Sequence, residues 1–364
     1  MCDLICSVVI PVYNGAATIA GCLDALAAQS TPATSYELVV VDDGSRDESA
    51  VVVRRWQAAH PQIALRLLQQ ANAGPAAARN LGAAAAQASI LLFTDADCRP
   101  SPDWIRLLVE ALQQPAVAGV KGSYRSRQPE WVAQFIQAEY EDRYARMAGQ
   151  PRIDFIDTYS AGYWRDLFLA VGGFDTRLIA CEDQELSFRL AAQAQQLCFV
   201  PAAWVEHRHV TRVWAYARRK YTFGFWKARL TRWHPDRLVR DSHTPQTLKL
   251  QMALALGSLG LVLLTGGPSV VRGWARRGLL GTVLLFVGSA LPFLLKLARR
   301  SPMLACVGLA MVVVRALALA GGFVMGTLRY GQESPQDRLG LGRIEPPLHR
   351  PREAAPHAPS ARGV

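Results

Sequence analysis

The chain has no acidic residue between positions 242 and 332, although its 364 residues include 29 Asp and Glu. The same window contains apolar stretches at about residues 250–266, 278–297 and 303–328. Each is close to the roughly 20 residues that a membrane-crossing helix requires. A helix of a soluble core keeps a polar face, which these stretches lack. We therefore expect residues 248–330 to form a membrane domain with about three apolar segments.

Paired cysteines and a basic leader are also lacking. The seven cysteines are odd in number and form no C-x-x-C, which is typical of reduced, mostly buried thiols in a cytosolic domain. The first nine residues include Asp3 but no Lys or Arg, so we expect no cleavable secretory signal. We therefore expect the N-terminal domain to face the cytoplasm on the inner (cytoplasmic) membrane.

Basic residues are unevenly distributed. Residues 1–206 carry 16 Lys and Arg against 23 Asp and Glu, a net charge of −7, whereas residues 207–364 carry 24 against 6, a net charge of +18. The basic residues flank apolar stretches and form no separate stripe, so we expect no nucleic-acid partner. Because they lie at both ends of the stretches, the positive-inside rule cannot orient all three spans. We expect one stretch to be re-entrant or to lie along the interface.

Residues 207–247 combine basic and aromatic side chains, a composition that suits the lipid headgroup layer. The alternative is a solvated basic surface packed on the N-terminal domain. Arg315 lies inside the last apolar stretch and is expected to face protein, water or a lipid phosphate. The tail at 331–364, rich in Pro, Ala and Arg, is expected to be disordered.

The first hundred residues alternate short apolar runs with helical segments, which predicts an α/β fold with a parallel sheet covered on both faces. The predicted strands are residues 7–13, 38–41, 65–68 and 90–93, with helices at 16–28, 48–59 and 75–87. Further on, the pattern predicts strands at 117–120 and 198–205 and helices at 131–147 and 183–195, with no assignment at 149–159.

Three of the predicted strands end in distinctive residues. They are Pro11, Val12, Tyr13 and Asn14 at the end of the first, Asp42 and Asp43 after the second, and Asp95 and Asp97 after the fourth. Because ligands collect at the carboxyl ends of parallel strands, we expect these residues to share one rim. The D-x-D of Asp95 and Asp97 offers oxygen ligands to Mg²⁺ or Mn²⁺. The alternatives are a solvated turn for Asp95 and Asp97, and a helix cap for Asp42 and Asp43.

These motifs together resemble a family 2 glycosyltransferase of the GT-A, nucleotide-diphospho-sugar transferase fold. The ordered set is S-V-V-I-P-V-Y-N-G from residue 7, V-V-V-D-D-G-S from 39, N-A-G-P-A-A-A-R-N from 72, T-D-A-D from 94, G-G-F-D from 172 and E-D at 182. The resemblance covers about residues 5–210 and implies a Rossmann-like, mixed but mainly parallel sheet in a catalytic domain over residues 1–206.

The resemblance also implies roles for individual residues. Those assigned to the nucleotide-sugar donor are Pro11, Val12, Tyr13, Asp42, Asp43, Arg79 and Asp95. Asp95 and Asp97 would bind the metal that bridges the diphosphate, with His207 as a further candidate ligand. In the acidic pair Glu182 and Asp183, Asp183 would be the general base of an inverting transfer. The plainer interpretations are capping of a helix by the acidic pair and a structural role for His207.

The sequence thus predicts a membrane-anchored inverting glycosyltransferase that moves a single sugar from a nucleotide-diphosphate donor to a hydroxyl of a lipid-linked or glycan acceptor, as in cell-envelope or exopolysaccharide synthesis. Addition of one sugar is favoured because the segment R-L-T-R-W from residue 229 lacks the glutamine of the Q-x-x-R-W motif of processive synthases. The alternatives are a sugar-phosphate nucleotidyltransferase and a non-catalytic membrane scaffold that retains a sugar-nucleotide fold.

Overall fold

The computed structural model describes residues 4–237 and 245–334. Eight strands form one sheet: β1 (Cys6–Val12), β2 (Tyr36–Asp42), β3 (Ala64–Gln69), β4 (Ile90–Phe93), β5 (Cys98–Pro100), β6 (Val117–Arg125), β7 (Ala161–Trp164) and β8 (Gln196–His207). Their order across the sheet is β3-β2-β1-β4-β7-β6-β8-β5. The predicted α/β fold with a mixed, mainly parallel sheet is confirmed.

Helices cover the sheet and continue beyond it. They are α1 (Ile19–Ala27), α2 (Ser49–Ala59), α3 (Pro75–Ala85), α4 (Trp104–Leu112), α5 (Trp131–Ala148), α6 (Arg165–Ala170), α7 (Glu182–Ala192), α8 (Val213–Trp233), α9 (Gln246–Leu264), α10 (Ser269–Arg300) and α11 (Pro302–Tyr330).

The first four strands are parallel, with β1 paired to β2 and β4, and β2 paired to β3. Every residue of β2 is buried, and valine and leucine dominate it, as expected for a strand covered by helices on both faces. The sequence predicted this half well because its apolar runs are short and bounded by turn residues.

The second half of the sheet changes direction at β7. This strand is antiparallel to both β4 and β6, while β8 is parallel to β6 and antiparallel to β5. Neither β5 nor β7 was predicted, because strands of three and four residues are too short for a periodic pattern. The strand predicted at residues 117–120 continues to Arg125 as β6.

Three helices, α9, α10 and α11, are long and apolar enough to cross a membrane. Before them, the basic aromatic segment folds into α8, a helix of 21 residues. Part of the segment predicted at 207–247 and nearly all of the tail predicted to be disordered lie outside the described residues.

Candidate active site

The carboxyl ends of β1, β2 and β4 meet at one edge of the sheet. Val12 of β1 is in register with Asp42 of β2, and the backbone N–H of Asp43 donates to the Val12 carbonyl at 2.9 Å. Pro11 and Val12 belong to the end of β1, whereas Tyr13 beyond it is 49% exposed. The structure therefore brings the three predicted strand ends together at one rim, with the Tyr13 ring open to solvent.

Asp42 and Asp43 are almost completely buried, and both shape the rim from within. Asp42 accepts hydrogen bonds from the Ser45 N–H at 2.9 Å and from Gln69 Nε2 at 3.1 Å. Asp43 accepts hydrogen bonds from the Gln70 side chain at 2.7 Å and from the backbone N–H groups of Ala73 and Gly74, each at 2.9 Å. The Asp43 carboxylate thus fixes the loop that leads into α3.

Arg79, one turn into α3, connects two parts of the site that are far apart in sequence. Its side chain is 5% exposed. Nη2 donates to Asp95 Oδ1 at 2.7 Å, and Nη1 donates to Glu182 Oε1 at 2.9 Å. One guanidinium therefore lies between the D-x-D and the acidic pair, and its buried Nε has no hydrogen-bond partner among the described residues. Since two carboxylates share one cation, this part of the rim keeps an excess of negative charge when both are ionised.

The acidic pair opens α7. Cys181, the residue before it, has a left-handed backbone with φ of 70°, and Glu182, Asp183 and Glu185 occupy the first turn. Burial and the neighbouring charge of Asp183 raise the pKa of Glu182 to about 7, although Arg79 opposes the shift. Burial also raises the pKa of Asp183. The pKa of both neighbouring carboxyls is therefore raised, and that of Glu182 lies close to neutral pH.

Asn80 was not among the predicted site residues, yet it connects α3 to the loop before α7. Its side-chain amide donates to the Phe174 carbonyl at 2.8 Å and accepts from the Phe174 N–H at 2.9 Å. Phe174 belongs to G-G-F-D, whose two glycines have φ values of 86° and 59°, where a side chain is strained. The N-A-G-P-A-A-A-R-N and G-G-F-D motifs thus lock α3 to the loop before α7. Their joint presence was the only signal in the sequence.

Asp97 and His207 lie close together on the open side of the rim. β5 and β8 pair Cys98 with His207, which brings His207 Nδ1 to 3.5 Å from Asp97 Oδ2. The Tyr124 ring stacks on the imidazole, with centroids 4.6 Å apart. Burial raises the pKa of Asp97, but the hydrogen bond and charge of His207 outweigh it and leave this pKa below its ordinary value.

The donor atoms of Asp97, Cys98 and His207 all lie within 4.8 Å of one another. Carboxylate oxygen and imidazole nitrogen are ligands that Mn²⁺ accepts, and carboxylate oxygen also suits Mg²⁺. The Asp95 and Asp97 side chains are 28% and 49% exposed, so further ligands can approach from solvent. Cys98 is fully buried, and its pKa is raised by burial, so its sulfur is a protonated thiol and a poor ligand for either ion. Asp97 and His207, with Asp95 beside them, therefore fit a divalent cation.

Two family models match the chain: Glycosyl transferase family 2 over residues 7–172 and Glycosyl transferase family group 2 over residues 90–325. The chain is 31% identical over 196 residues to Glycosyltransferase AglE of Haloferax volcanii, covering 53% of this chain and 63% of that protein. It is 28% identical over 273 residues to the Pre-mycofactocin glycosyltransferase of Mycobacterium tuberculosis, covering 71% of this chain and 56% of that protein. The chain thus spans less than two thirds of the length of either relative.

Among solved structures, the chain is similar to the mannosyltransferase PcManGT from Pyrobaculum calidifontis, determined in complex with GDP-Man and Mn²⁺. The TM-score is 0.60 at 20% sequence identity, covering 91% of this chain and 88% of that one. This similarity concerns the fold and extends over the C-terminal helices as well as the sheet.

Proposed function

Since the chain belongs to Glycosyl transferase family group 2, we propose that it transfers one sugar from a nucleotide-diphosphate donor to a hydroxyl group of a lipid-linked or glycan acceptor, with inversion. The observation that supports this most is the position of Arg79, whose guanidinium bonds both Asp95 and Glu182. One guanidinium therefore contacts both the D-x-D, where the donor diphosphate would bind, and the acidic pair, which would supply the general base.

The donor would lie along the rim formed by β1, β2 and β4. The exposed Tyr13 ring, just beyond Pro11 and Val12 at the end of β1, would offer a surface for the base and ribose, with Asp42 and Asp43 holding the loops around it. Arg79 would contact the diphosphate from below the rim.

Asp97 and His207 would hold a divalent cation, Mg²⁺ or Mn²⁺, with Asp95 as a further ligand. Bound there, the cation supplies positive charge for the bridging oxygen of the departing nucleoside diphosphate. The chain's own contribution is to fix these ligands: the β5–β8 pairing positions His207, and Tyr124 stacking holds its ring.

Asp183 would accept the proton of the attacking hydroxyl. Burial raises its pKa and that of Glu182, which makes a carboxylate a better base than it is in water. Because Glu182 is tied to Arg79, the free member of the pair is Asp183. Its carboxylate accepts a hydrogen bond from the N–H of its neighbour Gln184 at 2.8 Å, which orients it.

Membrane association agrees with the three long apolar helices. We place the protein at the inner (cytoplasmic) membrane with the catalytic domain in the cytoplasm, where nucleotide sugars are made.

The experiment is a donor screen of the purified full chain in detergent, with Mn²⁺ and a series of UDP, GDP and TDP sugars. Release of nucleoside diphosphate with sugar transfer or hydrolysis is expected for one donor. Pyrophosphate release from a nucleoside triphosphate and a sugar phosphate would instead indicate a nucleotidyltransferase. Donor binding without any sugar release would contradict the proposed enzyme and favour a scaffold.

A further inference from the structure

The residues that flank α11 at both ends contact the side of the catalytic domain. In the last two turns of α10, just before α11 begins, Arg300 Nη1 donates to Glu141 of α5 at 2.5 Å, and Lys296 Nζ donates to Asp142 of α5 at 2.5 Å. Just after the helix ends, the Glu333 carboxylate accepts two bonds from Arg229 of α8, each at 3.0 Å. It also accepts a bond from the Trp233 indole at 3.0 Å.

The helix that receives Glu333 is itself packed on the catalytic domain. Arg229 Nη1 donates to the Arg177 carbonyl at 2.9 Å, and Lys227 Nζ donates to Gln184, next to Asp183, at 2.9 Å. At the other end of α8, the Tyr216 hydroxyl donates to Glu139 of α5 at 3.0 Å. Both ends of α8 are therefore tied to the catalytic domain, the first to α5 and the second to α7 and the loop before it.

Glycines allow α11 to run side by side with α8. A Cβ at Gly224 of α8 would overlap the Leu319 carbonyl oxygen, and one at Gly322 of α11 would overlap the Tyr221 carbonyl oxygen. One turn further along α11, a Cβ at Gly326 would overlap the Phe225 carbonyl oxygen. Residue numbers rise together along both helices, so they are parallel, and their backbones are in contact over about three turns.

The middle of α11 is also held by the catalytic domain. Arg315 Nη1 donates to Glu139 Oε1 at 2.8 Å, and Nη2 donates to Gln251 of α9 at 2.9 Å. Lys220 of α8 approaches the same carboxylate to 3.0 Å. A charged side chain in a lipid-exposed span is costly, whereas here it is paired with an acid of the soluble domain.

We propose that α11 does not cross the bilayer but lies along its surface, and that α8 and α11 together form the face on which the catalytic domain rests on lipid. A helix of 29 residues is about 44 Å long, so a crossing helix would separate its ends by more than the roughly 30 Å of hydrocarbon. The residues at both ends of α11 instead contact one side of one domain: Arg300 binds Glu141 of α5 before the helix, and Glu333 binds α8 after it.

The lipid-facing side of α11 is apolar. Val324, Met325 and Leu328, which point away from α8, are 41%, 48% and 74% exposed. These side chains would enter the boundary between headgroups and acyl chains, with the basic residues of α8 above them. The acyl layer itself is then entered by α9 and α10. Since α9 follows α8, and α10 ends at Arg300, which pairs with Glu141 of α5, this helical hairpin begins and ends on the catalytic side.

The proposal is tested by labelling the two ends of α11 from each side of sealed membrane vesicles. Ser301→Cys and Ser334→Cys are introduced one at a time into the full chain, treated with a membrane-impermeant maleimide, and read by peptide mass spectrometry. We expect both positions to be labelled from the side that exposes the catalytic domain. Labelling of the two positions from opposite sides would overturn the proposal.

An epitope tag after Val364 provides a second measurement that does not depend on thiol reactivity. A protease added to sealed vesicles should remove this tag and a tag at Met1 from the same side, whereas a C-terminal tag protected until detergent is added would refute the in-plane helix. A tag in the α9–α10 turn, after Gly266, shows whether the hairpin crosses. These measurements do not involve sugar transfer, so a failed donor screen leaves the inference standing.

Discussion

Two clusters of ion pairs show how two regions of this molecule differ. One region is the rim of the sheet, and the other, which we call the base, is where α5 meets α8 and α11. At the rim, Arg79 is one cation between two acids, Asp95 and Glu182. At the base, Glu139 is one acid between two cations, Lys220 and Arg315. The surplus charge of the cluster is therefore negative at the rim and positive at the base. The first suits a divalent cation, and the second suits a surface of anionic lipid.

The largest effect should come from Asp183, the member of the acidic pair that Arg79 does not bond. Asp183→Asn removes the proposed base but keeps the shape of the side chain, so transfer should fall by about 10³-fold while donor affinity changes little. Rates of nucleotide release and equilibrium donor binding measure the two effects. Asp166→Asn, on a fully exposed side chain, is the control and should retain full activity. Turnover within a few-fold of normal in Asp183→Asn would refute its role.

The two ion clusters should respond differently to loss of their central residue. Glu139→Ala leaves Lys220 and Arg315 without their acid and should destabilise the fold by about 3–5 kcal/mol. Arg79→Ala should cost less, because Glu182, whose pKa is already raised to about 7, can take up a proton, whereas Arg315 cannot lose one. Thermal unfolding in detergent compares them.

The control for this pair is Glu110→Ala, which removes a surface ion pair with Arg106 and should cost about 0–1 kcal/mol. If Arg79→Ala proves more destabilising than Glu139→Ala, the charge contrast between rim and base is wrong.

A smaller effect is expected at the seam between α8 and α11. Gly322→Ala places a Cβ against a backbone carbonyl that cannot move aside easily, and should cost about 1–3 kcal/mol. Gly260→Ala in α9 is the matched control, because no neighbouring atom in the part of the chain that the structure describes lies within 4 Å of its added Cβ. The control should be neutral or stabilising by up to about 1 kcal/mol. Equal unfolding temperatures for the two variants would contradict the close packing of α8 on α11.

The smallest effect is a shift in pH dependence. Transfer should rise with pH as the pair formed by Glu182 and Asp183 ionises, and should level off above about 7, the pKa of Glu182. In Glu182→Gln the Asp183 carboxyl loses its acidic neighbour, so the acid limb should move to lower pH by about one unit. An unmoved limb would show that the pair does not control the rate.

Stability follows the same groups with a defined sign. The pKa of Glu182 is raised from 4.5 to about 7 in the folded chain, so between these values the folded state binds more protons than the unfolded state. The stabilisation from the protonated carboxyl is complete below pH 4.5 and is lost as pH rises through 7. Glu182→Gln should remove this loss, which unfolding at pH 6 and pH 8 would detect.

The sequence predicted those parts of the site that lie at strand ends. Asp42, Asp43, Asp95 and Asp97 follow short apolar runs, and parallel pairing alone brings such positions to one rim. The bond from Arg79 to Glu182 spans 103 positions, and no local pattern reports it. Only the family resemblance placed the two residues in one site.

The remaining differences have a similar cause. β7 is four residues long, too short for a periodic signal, yet it reverses the direction of the sheet next to β4. The third apolar stretch was predicted from its composition, but composition reports neither the ion pair between Arg300 and Glu141 before α11 nor the bonds to Glu333 after it. Those contacts depend on tertiary structure.

The proposed function depends most on one property, that the negatively charged rim binds a divalent cation and that this cation holds the donor diphosphate. Calorimetric titration of the full chain in detergent with the nucleoside diphosphate of the active donor tests it, with and without Mn²⁺, and in Asp97→Asn. We expect binding that requires Mn²⁺ and is weakened at least tenfold by Asp97→Asn. Equal affinity in the presence of EDTA and in the variant would contradict it.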